Sequence, residues 1–193
     1  MSSRSLCTSP GCPNRSFADS QFCLQHAPNA LELQQHYVTY INDEALLRDL
    51  VLPAITLEGI DFSNKTLMNC DFHAASLRNC TFNASKMTFC LFDHATFEHV
   101  SITESKIIES IFACSTFKST DFATSDIIQC NFNGCCLGNS VFVGNDLMYS
   151  RFMALGDSGL SFEDCNLKAV HFSACDANGI SFKFSNKEDA FFL

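Results

Sequence analysis

Large apolar side chains return along most of this chain at every fifth position. Phe62, Phe72, Phe82 and Phe92 are followed by Ile102 and then by Phe112, Phe122, Phe132, Phe142, Phe152, Phe162, Phe172 and Phe182. Midway between them stand Leu67, Leu77, Met87, Phe97, Ile107, Phe117, Ile127, Leu137, Leu147 and Leu167, so the period is five. Asp157 and Ala177 break it. Two residues before each large side chain is a mostly small one, as at Cys70, Ala75, Cys80, Ser85, Cys90, Ser105, Ser115 and Cys130.

A helix repeats every 3.6 residues and a strand every two, and neither returns a side chain to one face every five. Extended backbone that turns a corner once per unit does. Four units then close a square coil, and stacked coils bury a column of Phe, Leu and Ile that no single coil could shelter. The span Leu57 to Phe182 gives about six coils and a rod of roughly 30 Å at ~4.8 Å per coil.

Segments such as Ala75-Ser76-Leu77-Arg78-Asn79 and Cys130-Asn131-Phe132-Asn133-Gly134 resemble the pentapeptide-repeat family, whose consensus is A(D/N)LXX. The resemblance covers about two thirds of the chain. It implies an all-β, right-handed quadrilateral β-helix. Some members of that family, the quinolone-resistance proteins, are DNA mimics that bind DNA gyrase, so the resemblance also raises a type II topoisomerase as a partner.

Before the repeat, Ala30 to Leu52 carries a broken helical stripe of Leu33, Tyr37, Tyr40, Ile41, Leu47 and Leu50, with Asn29 as N-cap and Pro53 as terminator. Such a segment would cover the open first coil. Further upstream, Cys7, Cys12, Cys23 and His26 have the spacing C-x4-C-x10-C-x2-H. Three thiols and an imidazole suit tetrahedral Zn²⁺ in a structural site, with no position left for water. The expected organisation is therefore a zinc knuckle over 1–28, a helical cap over 29–56, the β-helix over 57–183, and a C-terminal cap or dimerisation tail over 184–193, where a homodimer would form.

Composition refines this picture. The 12 Cys, with no signal peptide ahead of them, read as buried thiols and a metal site in a cytoplasmic protein. Cys70, Cys80, Cys90, Cys130, Cys135, Cys165 and Cys175 fall in the small inward slot, and Cys70 and Cys90 should stack in successive coils. A net charge of -9 speaks against direct nucleic-acid binding and leaves a protein partner. The side bearing Phe62 and Phe122 gathers Asp61, Glu104, Asp121, Glu163 and Asp164 against Lys183, an acidic stripe fit for a partner. No nucleophile and base, phosphate loop or membrane span is legible, which points to a non-catalytic interaction scaffold of unknown partner. An irregular side is expected around Asp157, where a carboxylate falls in a large apolar slot.

Overall fold

A computed structural model describes residues 5–155, 160–173 and 179–192. Two stacks of three-residue strands run up opposite flanks. One contains β1 (Leu46–Arg48), β3 (Thr66–Met68), β5 (Lys86–Thr88), β7 (Lys106–Ile108) and β9 (Asp126–Ile128), and the other β2 (Thr56–Glu58), β4 (Ser76–Arg78), β6 (Thr96–Glu98) and β8 (Thr116–Lys118). Every pairing is parallel and in register with the residue twenty positions on, as in Leu67↔Met87 and Leu77↔Phe97. The two remaining sides continue the same offset through single bridges such as Asp61↔Thr81 and Leu91↔Ile111. Higher up, β10 (Phe142–Val143) pairs with β11 (Phe162–Glu163). The result is a square β-solenoid of about six turns.

The core is the predicted column. Phe62, Phe72, Phe82, Phe92, Phe112, Phe122, Phe132, Phe142 and Phe152 are all fully buried. Rings one coil apart stack face to face, Phe112 on Phe132 at 4.7 Å and Phe132 on Phe152 at 4.8 Å, while rings from opposite sides, such as Phe132 and Phe142, meet edge to face across the interior. Each such pair contributes about 0.5–1.5 kcal/mol beyond area burial. Several small-slot hydroxyls are satisfied by the preceding coil: those of Ser105, Ser115 and Ser125 donate to the carbonyls of Phe82, Phe92 and Ile102 at 2.6, 2.6 and 2.7 Å, whereas those of Thr120 and Ser140 are buried without a partner among the described residues. Inward Cys residues imitate the donating serines, Cys135 Sγ reaching the Phe112 carbonyl at 3.0 Å.

Corners are made by a left-handed residue two positions after each large one. Asn64, Asn69, Ala74, Asn79, Ala84, Phe89 and His94 all have φ between +51° and +61°. For a non-glycine residue this costs about 1–2 kcal/mol, which ladder bonds and burial must offset at every turn. That conformational demand is invisible in the apolar pattern.

The N-terminal boundary differs from the sequence expectation. The helix, α1 (Ala30–Asp43), stops well before Pro53, and Asn29 occupies its N-cap without a side-chain cap bond. Leu47 and Leu52 are fully buried members of the coil, β1 pairing with β3. Lys65, sitting where small residues recur in later coils, ends the helix by donating from Nζ to the carbonyls of Asn42 and Glu44 at 3.0 and 2.8 Å. A cation there also suits the negative end of the helix dipole. From α1 only Ile41 is completely buried, with Leu33, Tyr37, Val38 and Tyr40 packed more loosely against the core.

The knuckle shares the capping. Phe17 is fully buried in the same core, its ring edge-on to Tyr37 at 5.7 Å, and the Ala18 N–H donates to the Val51 carbonyl at 2.6 Å. At the far end Phe192 stacks on Phe172 at 5.5 Å, and Lys187 Nζ lies 5.1 Å from the rings of both Phe182 and Phe192. The tail thus continues the ladder, Phe191 bridging His171 in parallel. Asp157, Cys175 and Ala177 lie outside the described residues; Leu155, just before Asp157, is buried. No described helix is long and apolar enough to cross a membrane.

Candidate metal centre and acidic side

The knuckle is shaped by backbone bonds before any ion is considered. Leu6 bridges Arg15 in antiparallel fashion, the Cys7 N–H reaches the Asn14 carbonyl at 2.8 Å, and Gly11 at φ +74° closes the turn that returns Cys12 to Ser9. A second turn sends the His26 N–H to the Cys23 carbonyl at 3.0 Å. These turns aim four side chains at one point. One donor atom from each of Cys7, Cys12, Cys23 and His26 lies within 4.8 Å of all the others. His26 Nδ1 is 3.5 Å from Cys7 Sγ and 3.4 Å from Cys23 Sγ, and Cys12 Sγ is 3.9 Å from Cys23 Sγ. Ligand atoms about 2.0–2.3 Å from a central ion are separated by such distances. The set fits one tetrahedral metal.

Its protonation is already uneven. Burial pushes the Cys7 thiol up, but the N–H groups of Cys23 and Ser9, with the His26 ring and the Cys23 thiol, outweigh it and bring it down to about 6. The Asn14 N–H pulls the Cys12 thiol down, yet burial and the Cys7 and Cys23 sulfurs push it up on balance. Asn14 Nδ2 adds an outer contact to Cys23 Sγ at 3.8 Å.

Inward Cys residues behave differently. Cys70, Cys80, Cys90, Cys130, Cys135 and Cys165 are buried free thiols, as expected. Burial pushes Cys130 and Cys135 up to about 12. Cys70 and Cys90 do stack, sharing a thiol hydrogen bond that lowers the first and raises the second.

The five acidic residues fall in three columns, Asp61 with Asp121, Glu104 with Asp164, and Glu163 alone. Asp61 and Asp121 lie on one ladder, with Thr81 and Ser101 between them, so they are three coils or about 14 Å apart. Glu104 and Asp164 are exposed left-handed corner residues, and Glu163 pairs Val143 in β10. The Ser63 hydroxyl, then the Thr81 hydroxyl at 2.7 Å and the Ser63 N–H at 2.8 Å, hold the Asp61 carboxyl down to about 2. The stripe is interrupted at the coils of Thr81, Val141 and Ser181, which carry no acidic residue on this side.

A junction absent from the sequence reading joins knuckle and coil. Arg15 Nη1 lies 2.8 Å from Asp71 Oδ2, and His73 Nδ1 lies 2.7 Å from Asp93 Oδ2. A cavity of about 370 Å³ opens beside it, lined by Leu6, Arg15, Leu24, Pro53 and His73. The signal was present: Asp71 stands in a column whose neighbours are Val51, Leu91 and Ile111.

No family model matches the chain, and no curated protein does. Among solved structures it is similar to HetL, a pentapeptide repeat protein involved in heterocyst differentiation regulation in the cyanobacterium Nostoc, at 11% identity and a TM-score of 0.46, over 86% of this chain and 98% of that one. QnrB1, a plasmid-mediated fluoroquinolone resistance protein, is matched at 11% identity and a TM-score of 0.44, over 77% and 84%. A third is Rfr23, from the cyanobacterium Cyanothece, at 13% identity and 0.24, over 82% and 99%. What decides the fold is this chain's own ladder, offset by twenty with one buried large residue in five. It is a square β-solenoid with a five-residue period. The Cys/His knuckle and α1 pack against the solenoid at its first coil, and the aromatic tail continues its ladder at the last.

Proposed function

We propose that this solenoid is a non-catalytic protein-interaction scaffold whose knuckle holds one structural Zn²⁺. The observation that carries the reading is the division between inside and outside. Inward positions are filled by stacked Phe rings and small Ser, Thr and Cys side chains, while outward residues repeat in columns at a fixed rise. A rigid ruler of side chains is suited to recognition by a protein surface. Free thiols along the coil suit a reducing compartment such as the cytoplasm. Proximity labelling in the native cell, followed by reconstitution with the purified partner, tests the scaffold. A partner that is chemically converted by the protein would overturn it.

The acidic side supports a second reading, in which the solenoid occupies a DNA-binding groove of DNA gyrase or a related topoisomerase. Asp61, held charged at any physiological pH, and Asp121 three coils away would stand for phosphates. QnrB1 is described as a fluoroquinolone resistance protein, which fits the same idea. Supercoiling by gyrase, assayed with the native chain and with Asp61, Glu104, Asp121, Glu163 and Asp164 reversed to Lys, decides it. An unchanged rate in both arms ends that reading. The C-terminal end offers exposed Phe184 and Phe191 for a homodimer of the kind expected from the tail.

A further inference from the structure

The two flanking sheets treat charge in opposite ways. On the β2-β4-β6-β8 flank one outward column alternates Glu58, Arg78, Glu98, Lys118 in direct register, and Arg78 Nε reaches Glu98 Oε2 at 3.4 Å. On the other flank like charges are stacked. Lys86 pairs Lys106, Lys106 pairs Asp126, and Asp126 bridges Asp146, so the column reads plus, plus, minus, minus. Like charges directly opposite one another destabilise a sheet, and alternation would have relieved them. Neither lysine has an ion pair among the described residues.

Beside this column runs a mostly apolar one of Met68, Thr88, Ile108, Ile128 and Met148, all partly exposed. At its corner stand Phe89 and Tyr149, 51% and 47% exposed, both at left-handed φ of +56° and +60°. Large aromatics in that conformation carry backbone strain as well as unfavourable exposure. Neither is a requirement of the coil, since Asn69 and Gln129 hold the equivalent place in other turns.

All three columns share one centre of symmetry. A two-fold axis lying in the face, along the strands and midway between β7 and β9, reverses the order of coils and keeps each column over itself. Lys86 then meets Asp146 of a second copy, Lys106 meets Asp126, Ile108 meets Ile128, and Phe89 meets Tyr149. We infer that the β1-β3-β5-β7-β9 face is an antiparallel self-association surface whose partner is a second copy of this chain. Such an isologous interface explains why the charges are segregated: each half of the face is the complement of the other half.

The surface goes beyond the scaffold reading and is separate from the C-terminal end. It spans five coils from Met68 to Met148, roughly 19 Å between outer rungs, by about 10–13 Å across. That is small for a specific interface, so the association is weak and reversible. At about 0.15 M salt the Debye length of ~8 Å screens the repulsion between two chains of net charge -9, while contact pairs persist.

Sedimentation of the full chain at roughly 5–500 µM tests it. The native chain should show a monomer–dimer equilibrium. Lys86→Glu with Lys106→Glu makes the column wholly acidic, and Asp126→Lys with Asp146→Lys makes it wholly basic. Each variant alone should dimerise at least about tenfold more weakly, because every contact becomes a like pair. Mixed, the two variants should form a one-to-one heterodimer, a result that a general loss of folding cannot produce. Far-UV spectra confirm that both remain folded. A native chain monomeric throughout overturns the inference, as does a mixture that fails to associate. So does a dimer that persists in both variants and is lost in Phe184→Ser, which would place the contact at the C-terminal end.

Discussion

Arg15 of the knuckle and Asp71 of the coil form an ion pair of 2.8 Å in which the Asp71 side chain is wholly buried and the Arg15 side chain is 30% exposed. The pair crosses from the Cys/His segment to the solenoid, and the Asp71 carboxylate also accepts the His73 N–H at 2.9 Å. Removing one partner of a buried pair leaves an uncompensated charge, whereas replacing both by apolar groups often costs little. Arg15→Met is therefore expected to destabilise the first coils by about 2–4 kcal/mol. Arg15→Met with Asp71→Leu should recover most of that loss, since Val51 and Leu91 flank Asp71 on its ladder. Urea unfolding of the three proteins measures both effects.

Metal binding should be visible in composition and in pH dependence. Elemental analysis is expected to give one Zn²⁺ per native chain and none in Cys7→Ser or Cys23→Ser. The Cys7 thiol is depressed to about 6, so its thiolate contribution is fully present above the unfolded pKa of about 8.5 and disappears as pH falls through about 6. Zinc affinity should weaken as pH falls, because protons compete with the metal for the ligands, and bound zinc should shift that loss to lower pH than in the metal-free thiol. Hydrogen exchange should show Phe17, Ala18 and the β1 amides losing protection on chelation, with the upper coils unaffected.

Gly138 is expected to tolerate no side chain. Its φ is +52°, and a Cβ built there would come within 2.6 Å of the Phe117 carbonyl oxygen, a backbone atom fixed by the ladder. Gly138→Ala should cost about 1–3 kcal/mol in thermal unfolding. Gly59→Ala, with open space around its Cβ, should cost about 1 kcal/mol from φ alone. Equal losses at the two sites would contradict this account.

Thiol chemistry should separate inward from outward Cys. Cys114 and Cys136 are exposed, while Cys130 and Cys135 are buried with thiols pushed up to about 12. At pH 8 an alkylating reagent should modify the first pair in the native protein and reach the second pair only after unfolding, because the thiolate is the nucleophile. Peptide mapping by mass spectrometry reads the order directly.

Much of the solenoid was legible because burial itself has a period. Phe132 is inward for the same reason as Leu137, and the small slot at Cys130 follows from the width of the coil. The start of the solenoid was misread for a related cause. Leu47 and Leu52 fit the five-residue beat that continues at Leu57, but Leu47 and Leu50 also extend a helical stripe, and Pro53 looked like its terminator. Lys65 settles the matter from another coil, by binding the carbonyls where α1 ends.

The metal-ligand spacing was likewise readable, since Cys7, Cys12, Cys23 and His26 are close in sequence and need only two turns to converge. Their attachment was not. Arg15 meets Asp71, and Phe17 enters the solenoid core, through contacts with residues far along the chain.

By itself the order of residues determined the square coil, its aromatic interior and the four converging ligands, because each depends on neighbours within one repeat or one turn. Tertiary structure alone decided where the helix stops, which carboxylate is buried against Arg15, and how charges line up on each flank. Those features depend on residues twenty or more positions apart being brought into register, and that register exists only once the coils have stacked.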